Sequence, residues 1–279
     1  MENNVSPMPK EKNYHVRKFS TNRLILADYN NVAATFYRVS GLIEIDITAA
    51  LARMEEIKQK ENYKVSMTAW VAKCLAQAVI ENKHLNSYRK GRKIIVFDDV
   101  DISVVVEITT KSGKKVPFNH VIRKVETKSV KEITDEIRAV QQRKIDELEQ
   151  LTRDNSTKYM WFYPLLPRFF RRFVIRRMLK NPFRLKKLIG TVGITSLGMF
   201  VKGQGGWAVP FADKTLNVAL GGIREQAILR DGKAVEQKLL CVTFLVDHDI
   251  VDGAPAARFI ARLSKLMTGA AYLKDLTEK

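Results

Sequence analysis

The chain has 279 residues, is 46% hydrophobic and carries 48 Lys and Arg against 30 Asp and Glu, a net charge of +18. That length and apolar content suit one large domain with a full core. The two cysteines rule out a disulfide framework, and no apolar run is long enough to span a bilayer. The charge draws polyanions and anionic surfaces without choosing among nucleic acid, anionic lipid, an acidic carrier protein and a phosphorylated cofactor. The polar start, "MENNVSPMPKEKNYHVRKFS", lacks the apolar centre of a signal peptide. Residues 1–14 therefore read as a mobile arm, residues 15–279 as a single domain, and the protein as cytoplasmic.

In chain order, "ATFYRVSGLIEIDI" reads as a strand, followed by a helix from about Thr48 to Lys60. Ser66 is placed to cap a second helix, in which Met67, Val71, Leu75, Ala78 and Val79 recur at helical spacing. "RKIIVF" and "VDISVVVEI" are strands, the latter apolar enough to be covered on both faces, and Gly113 marks the turn after it. Val130, Ile133, Ile137, Val140, Ile145 and Leu148 predict a long helix over about 129–151.

Residues 158–187 then carry ten basic side chains, no acidic one and three prolines, with aromatics interleaved. A helix over Arg168–Lys180 gathers Phe169, Phe170, Phe173, Val174 and Met178 on one side and Arg168, Arg171, Arg172, Arg176 and Lys180 on the other. Its apolar side either packs on the core or meets an anionic membrane, an acidic carrier or a long acyl chain. Nucleic acid is not expected, because no binding module accompanies the basic residues. Short strands follow in "GTVGITSLGMF", "WAVPF", "LNVALGGI" and "KLLCVTFLVD", and a helix from Gly253 to about Met267 closes the chain. This mixture predicts an α/β sandwich on one mostly buried sheet.

"LVDHDIVDGAPAARF", residues 245–259, sets His248 at a strand-to-helix corner, where rigid elements hold a side chain near an opening. It also serves as an ordinary turn, with Asp252 as the cap of the last helix. No cluster of His, Cys or carboxylates has metal-ligand spacing. His120 and His84 read as turn or surface residues, and His15 lies near the start.

The pattern His-x-x-x-Asp-Gly at His248, Asp252 and Gly253 resembles the signature of the coenzyme A-dependent acyltransferases, and Asp247 that of the dehydrogenase-complex branch. "ITSLGMF", "AVPF" and "LNVALGGI" resemble the "TISNLGMF … ILGVG" stretch of those catalytic cores, and "DITAALARMEEIK", "KVSMTAWVAKCLAQAV", "HLNSY" and "VDISVVVE" follow the same order upstream. The resemblance covers about 15–145 and 188–268, leaving the basic-aromatic insertion at about 155–187 outside it.

It implies a chloramphenicol acetyltransferase-like α/β sandwich with a mixed sheet, and a homotrimer with active sites between subunits. It also implies an acyl group moved between coenzyme A, or another pantetheine thioester, and a thiol, hydroxyl or amine acceptor. His248 becomes the general base, as an imidazole of pKa ~6.5 suits proton removal at neutral pH. Thr195, with Ser196 beside it, takes the place of the family's oxyanion-stabilising serine. Asp252 orders the histidine loop, and Arg23 is its partner from the N-terminal segment. With only a short polar arm ahead of the core, no covalent lipoyl group is expected, and without the family's apolar tail a free trimer is expected in place of a cage. The competing expectation is a catalytically idle trimeric scaffold or membrane-surface adaptor acting through residues 160–187, peripheral to the inner face of the membrane.

Overall fold

The computed structural model describes residues 14–16, 19–34, 37–111, 113, 115–143, 162–198, 205–230 and 232–274. Most of the expected N-terminal arm, the end of the helix expected over 129–151, and the start of the basic insertion lie outside them.

The first element is a helix absent from the sequence expectation, α1 (Thr21–Ala33), capped by Ser20, whose hydroxyl accepts from the Arg23 N–H. β1 (Arg38–Asp46) leads into α2 (Thr48–Glu61) and α3 (Met67–Ile80). Ser66 caps α3 as expected, and nine of its residues are buried because apolar side chains surround the helix. The hairpin β2 (Ser87–Lys90) and β3 (Lys93–Val96) precedes β4 (Ile102–Thr109) and β5 (Lys115–Ile122). β4 is covered on both faces only at its start; beyond Val104 it alternates, so Val105, Glu107 and Thr109 are exposed. α4 (Val130–Gln141) begins with a reciprocal box between Ser129 and Glu132.

α5 (Arg168–Leu179) and α6 (Pro182–Ile189), after a short helical turn at 162–165, carry the described part of the basic segment. β6 (Val192–Ser196), β7 (Leu216–Arg230), β8 (Lys233–Asp247) and α7 (Gly253–Thr268) complete the order. β7 and β8 are longer than expected, pairing along a long hairpin. "WAVPF" is no strand: Pro210 offers no ladder donor, and the segment is held instead by Trp207, whose indole N–H donates to Ile43 O at 3.0 Å.

Six strands form one mixed sheet in the order β1-β8-β7-β6-β4-β5, parallel at β4/β6 and β6/β7 and antiparallel elsewhere. α2, α3, α4 and α7 cover one face. Their core joins Trp70, Ile102, Val218, Phe244 and Phe259, with Phe244 and Phe259 edge to face at 6.0 Å. Cys74 and Cys241 are free, buried thiols, as expected, and burial pushes Cys74 up to about 12. A second cluster joins Val32 and Ala33 of α1, Tyr88 and Phe97 of the hairpin, and Ile175, Leu179 and Leu185 of α5 and α6.

That second cluster corrects the expected sidedness of α5. Its buried residues are Arg171, Ile175 and Leu179, while Phe169, Phe170, Phe173 and Val174 are exposed. The physical cause is Asp28 on α1, which is itself buried and takes Arg171 Nε at 2.7 Å and Arg172 Nε at 3.7 Å. A carboxylate in that interface demands cationic partners, so Arg171 and Arg172 turn toward it with Ile175 and Leu179 beside them, while Arg168, Arg176 and Lys180 stay exposed along with the phenylalanines.

Candidate active site

His248 sits just past the end of β8, with its backbone N–H donating to Tyr37 O at 3.0 Å, so the strand pairing of β1 and β8 extends to it. Its side chain is exposed at a cavity of about 210 Å³ lined by Val39 and Gly41 of β1, Phe244 and Val246 of β8, and Gly253 and Ile260 of α7. The imidazole therefore stands at the rim of an apolar slot on the helix-covered side of the sheet.

The turn bearing it is tied by Asp247. This carboxylate accepts the Asp249 N–H at 3.1 Å, and its carbonyl receives the N–H groups of Ile250 and Val251. Arg38, its register partner across β1, offers a cation nearby and donates to Ala33 O at 3.1 Å. Burial dominates at both groups, holding the Asp247 carboxyl above its ordinary value and the Arg38 guanidinium below its own. A carboxyl whose folded pKa is raised leaves stability intact below the usual 3.8 and removes it as pH rises through the folded value. Asp247→Asn keeps an acceptor for the Asp249 N–H, so the melting temperature of the variant is expected to overtake that of the wild type between about pH 4 and pH 7. Melting curves that stay parallel across that range would contradict this.

Asp252 occupies the cap position of α7, but its carboxylate makes no capping hydrogen bond. The third helical position is Pro255, which has no N–H to give. The carboxylate is left exposed beside the His248 cavity, which it helps to line. Among the described residues of one chain no hydrogen bond or ion pair joins it to Arg23, whose guanidinium is exposed on α1 and whose backbone N–H donates to Ser20. Among the described residues two arginines stand at the histidine loop: Arg38, across β1 from Asp247, and Arg89 of β2, whose Nη1 lies 2.7 Å from Asp249 Oδ2.

Thr195, on β6, faces the opposite side of the sheet and lines a separate cavity of about 250 Å³ with Ser103, Asn119, Asp213, Lys214 and Asn217. Ser196 points to the other face by strand alternation and does not line it. The cavity holds a polar array that the sequence reading missed. Lys214 Nζ lies 2.6 Å from Asp213 Oδ1, and the Tyr29 hydroxyl donates to Asp213 Oδ2 at 2.8 Å. Burial opposes ionisation of Asp213, yet Lys214 and the hydrogen bonds outweigh it and hold the carboxyl below its usual range. Burial, followed by Asp213, pushes the Tyr29 phenol far up. The only sequence hint was a run of polar residues, "ADKTLN", in an otherwise apolar stretch.

Thr195 and His248 do not meet within one chain. Thr195 pairs with Ala219, and Ala219 with Thr243, two strand spacings across the sheet. His248 lies five residues farther along β8, so the separation is roughly 15–20 Å, with the sheet between the two side chains. His120, expected at a turn or surface, lies on β5 with its Nε2 2.7 Å from Glu136. Among the described residues no group of three or more His, Cys, Asp or Glu side chains is arranged to hold a metal ion.

A mixed sheet covered on one face by helices, with a histidine exposed at the corner between the last strand and last helix, makes an α/β sandwich with a candidate site at that corner. The sequence matches the family described as 2-oxoacid dehydrogenases acyltransferase (catalytic domain) over residues 10–155 and 183–273, and the chain belongs to that family. The dihydrolipoyllysine-residue acetyltransferase component of the pyruvate dehydrogenase complex of Bacillus subtilis (strain 168) is 24% identical over 266 residues, covering 94% of this chain and 50% of that protein. The lipoamide acyltransferase component of the branched-chain alpha-keto acid dehydrogenase complex of the same organism is 21% identical, covering 81% and 45%. The chain thus spans about half the length of the curated relatives it matches. Among solved structures, a probable dihydrolipoamide acetyltransferase from Listeria monocytogenes superposes with a TM-score of 0.67 at 19% identity, over 93% of this chain and 96% of that one. The cubic core of a pyruvate dehydrogenase multienzyme complex gives 0.63 at 19%, over 95% and 96%. Both share the fold.

Proposed function

We propose that the chain is an acyltransferase catalytic domain that moves an acyl group between coenzyme A, or another pantetheine thioester, and a thiol, hydroxyl or amine acceptor. The observation that carries the reading is His248, exposed at the mouth of the cavity under α7 in a chain of this family. Its imidazole would take the proton of the acceptor as the acceptor's sulfur, oxygen or nitrogen attacks the acyl carbon, and return it to the leaving group as the tetrahedral intermediate collapses. The Thr195 hydroxyl is the donor for the oxyanion, and Asp247 with Arg38 holds the histidine turn. The names of the relatives, which specify a dihydrolipoyllysine residue, put a carrier-borne dithiol among the thiol partners.

We place this chemistry in a homotrimer. Within a chain the two groups lie on opposite faces of the sheet, so a neighbour must supply one of them. Tyr37 just before the edge strand β1, and Val39 and Leu42 on it, are exposed, and Trp207, Val209 and Phe211 add further exposed apolar side chains. An unpaired edge flanked by apolar surface suits a subunit interface. Subunit mixing tests both claims. Thr195→Ala and His248→Ala are each expected to be nearly inactive toward acyl-coenzyme A and an acceptor thiol. An equal mixture, unfolded and refolded together, is expected to recover about a quarter of wild-type activity, since roughly one site in four then draws both groups from intact copies. A mixture no more active than its parts would remove the shared site.

A further inference from the structure

We propose that the outward face of α5 and α6 is a docking surface for an anionic phospholipid bilayer, with phenylalanines entering the interfacial layer and arginines and lysines meeting the headgroups. Phe169 is 75% exposed, Phe173 61% and Phe183 59%, and Leu165 before α5 is 72% exposed. Around the outward arc of α5 the order is Arg176, Phe169, Lys180, Phe173, Arg177, so a cation separates each aromatic side chain from the next.

Arg176, Arg177, Lys180, Arg184 and Lys187 make no ion pair with any described residue, and four of them line a groove of about 580 Å³ with Lys90 of the β2–β3 hairpin. Among the described residues no acidic side chain lines that groove. Among the described residues the packing side of α5 is already filled by Arg171, Ile175 and Leu179, and the Asp28–Arg171 pair fixes its rotation, so the phenylalanines face away from the core.

The interleaving selects the occupant. A dry protein interface is depleted of charge at its centre, so a cation between each pair of rings suits it poorly. A membrane interface accepts both at once: rings settle at the boundary of the acyl chains while Arg and Lys stems reach outward to phosphate. The charge complementarity favours an anionic leaflet. No helix among the described residues is long and apolar enough to cross a membrane, so attachment through this face is peripheral. A second groove, of about 660 Å³, runs from Arg176 and Lys180 past the hairpin to Asp247 and Asp249, so docking brings the histidine turn close to the lipid surface. The docking surface stands whether or not His248 transfers an acyl group.

Cosedimentation of the whole chain with vesicles tests it. Binding is expected to vesicles of phosphatidylcholine with phosphatidylglycerol, and not to phosphatidylcholine alone. Phe169→Ser with Phe173→Ser, and separately Arg176→Gln with Lys180→Gln, are each expected to weaken partitioning about tenfold or more. Both pairs are exposed, so unchanged circular dichroism and melting temperature will show that the fold is kept. His248→Ala is expected to bind as the wild type does, which separates this proposal from the catalytic one. No binding to anionic vesicles would overturn it, as would binding indifferent to the phenylalanine substitutions. Retention on polyglutamate without vesicle binding would assign the face to an acidic protein, and self-association abolished by the same substitutions would assign it to a second copy; either would also overturn it.

Discussion

His248→Ala is expected to lower acyl transfer by about 10²–10⁴-fold, the range a positioned general base contributes. The loss should fall on kcat with little change in KM for the acyl donor, because the imidazole acts on the acceptor's proton as the bond to the acyl carbon forms. Stability should move by no more than about 0.5 kcal/mol, as the side chain is exposed and the turn is held by the backbone bond to Tyr37 and by Asp247. Added imidazole should restore part of the lost rate through the open cavity. A variant that transfers acyl groups at the wild-type rate would remove His248 from the chemistry and favour the scaffold reading.

The histidine and its corner were legible because they lie inside local signals. An apolar strand, a Gly and a helical stripe occupy adjacent residues, and the motif spans six positions. The helices α2, α3 and α7 were equally plain, α3 marked by apolar spacing within one window and capped by Ser66. What escaped depends on residues far apart. Arg38 meets the histidine turn only through the register of β1 on β8, and that pairing joins residues about 209 positions apart. Thr195 and Asp213 come together by the parallel crossing of β6 to β7 and the return of the loop before it. α1 escaped for a related reason: its buried residues, Asp28, Val32 and Ala33, include a carboxylate whose arginine partners lie more than 140 positions away, and Arg23 is exposed on it. Even the failed side-chain cap at Asp252 was locally readable, in the proline three residues on.

The orientation of α5 is the largest departure, and it has an energetic test. Asp28→Ala is expected to cost about 3–5 kcal/mol in the attachment of α5, because it strands a buried guanidinium without its partner. Asp28 Oδ2 receives Arg171 Nε at 2.7 Å and the Tyr163 hydroxyl at 3.1 Å, so one substitution leaves both donors unpaired, and Arg172 loses its partner as well. Arg171 also donates to Leu166 O at 2.8 Å, and that bond alone does not neutralise its charge. The readout is trypsin, for which the arginines of α5 are targets: cleavage between Arg168 and Arg177 should accelerate sharply in Asp28→Ala while the sheet remains resistant. Asp28→Leu with Arg171→Met should recover protection to near or above wild type, since replacing a buried pair by apolar side chains is often neutral or stabilising. If the double variant is instead as labile as the single one, packing against Val32 and Ala33 fails for want of shape, not charge. Vesicle binding should follow the same order, because the phenylalanines are intact in every variant and only the latch that presents them has changed. Asp28→Ala that resists trypsin like the wild type would show that Ile175, Leu179 and Leu185 hold the module without the ion pair.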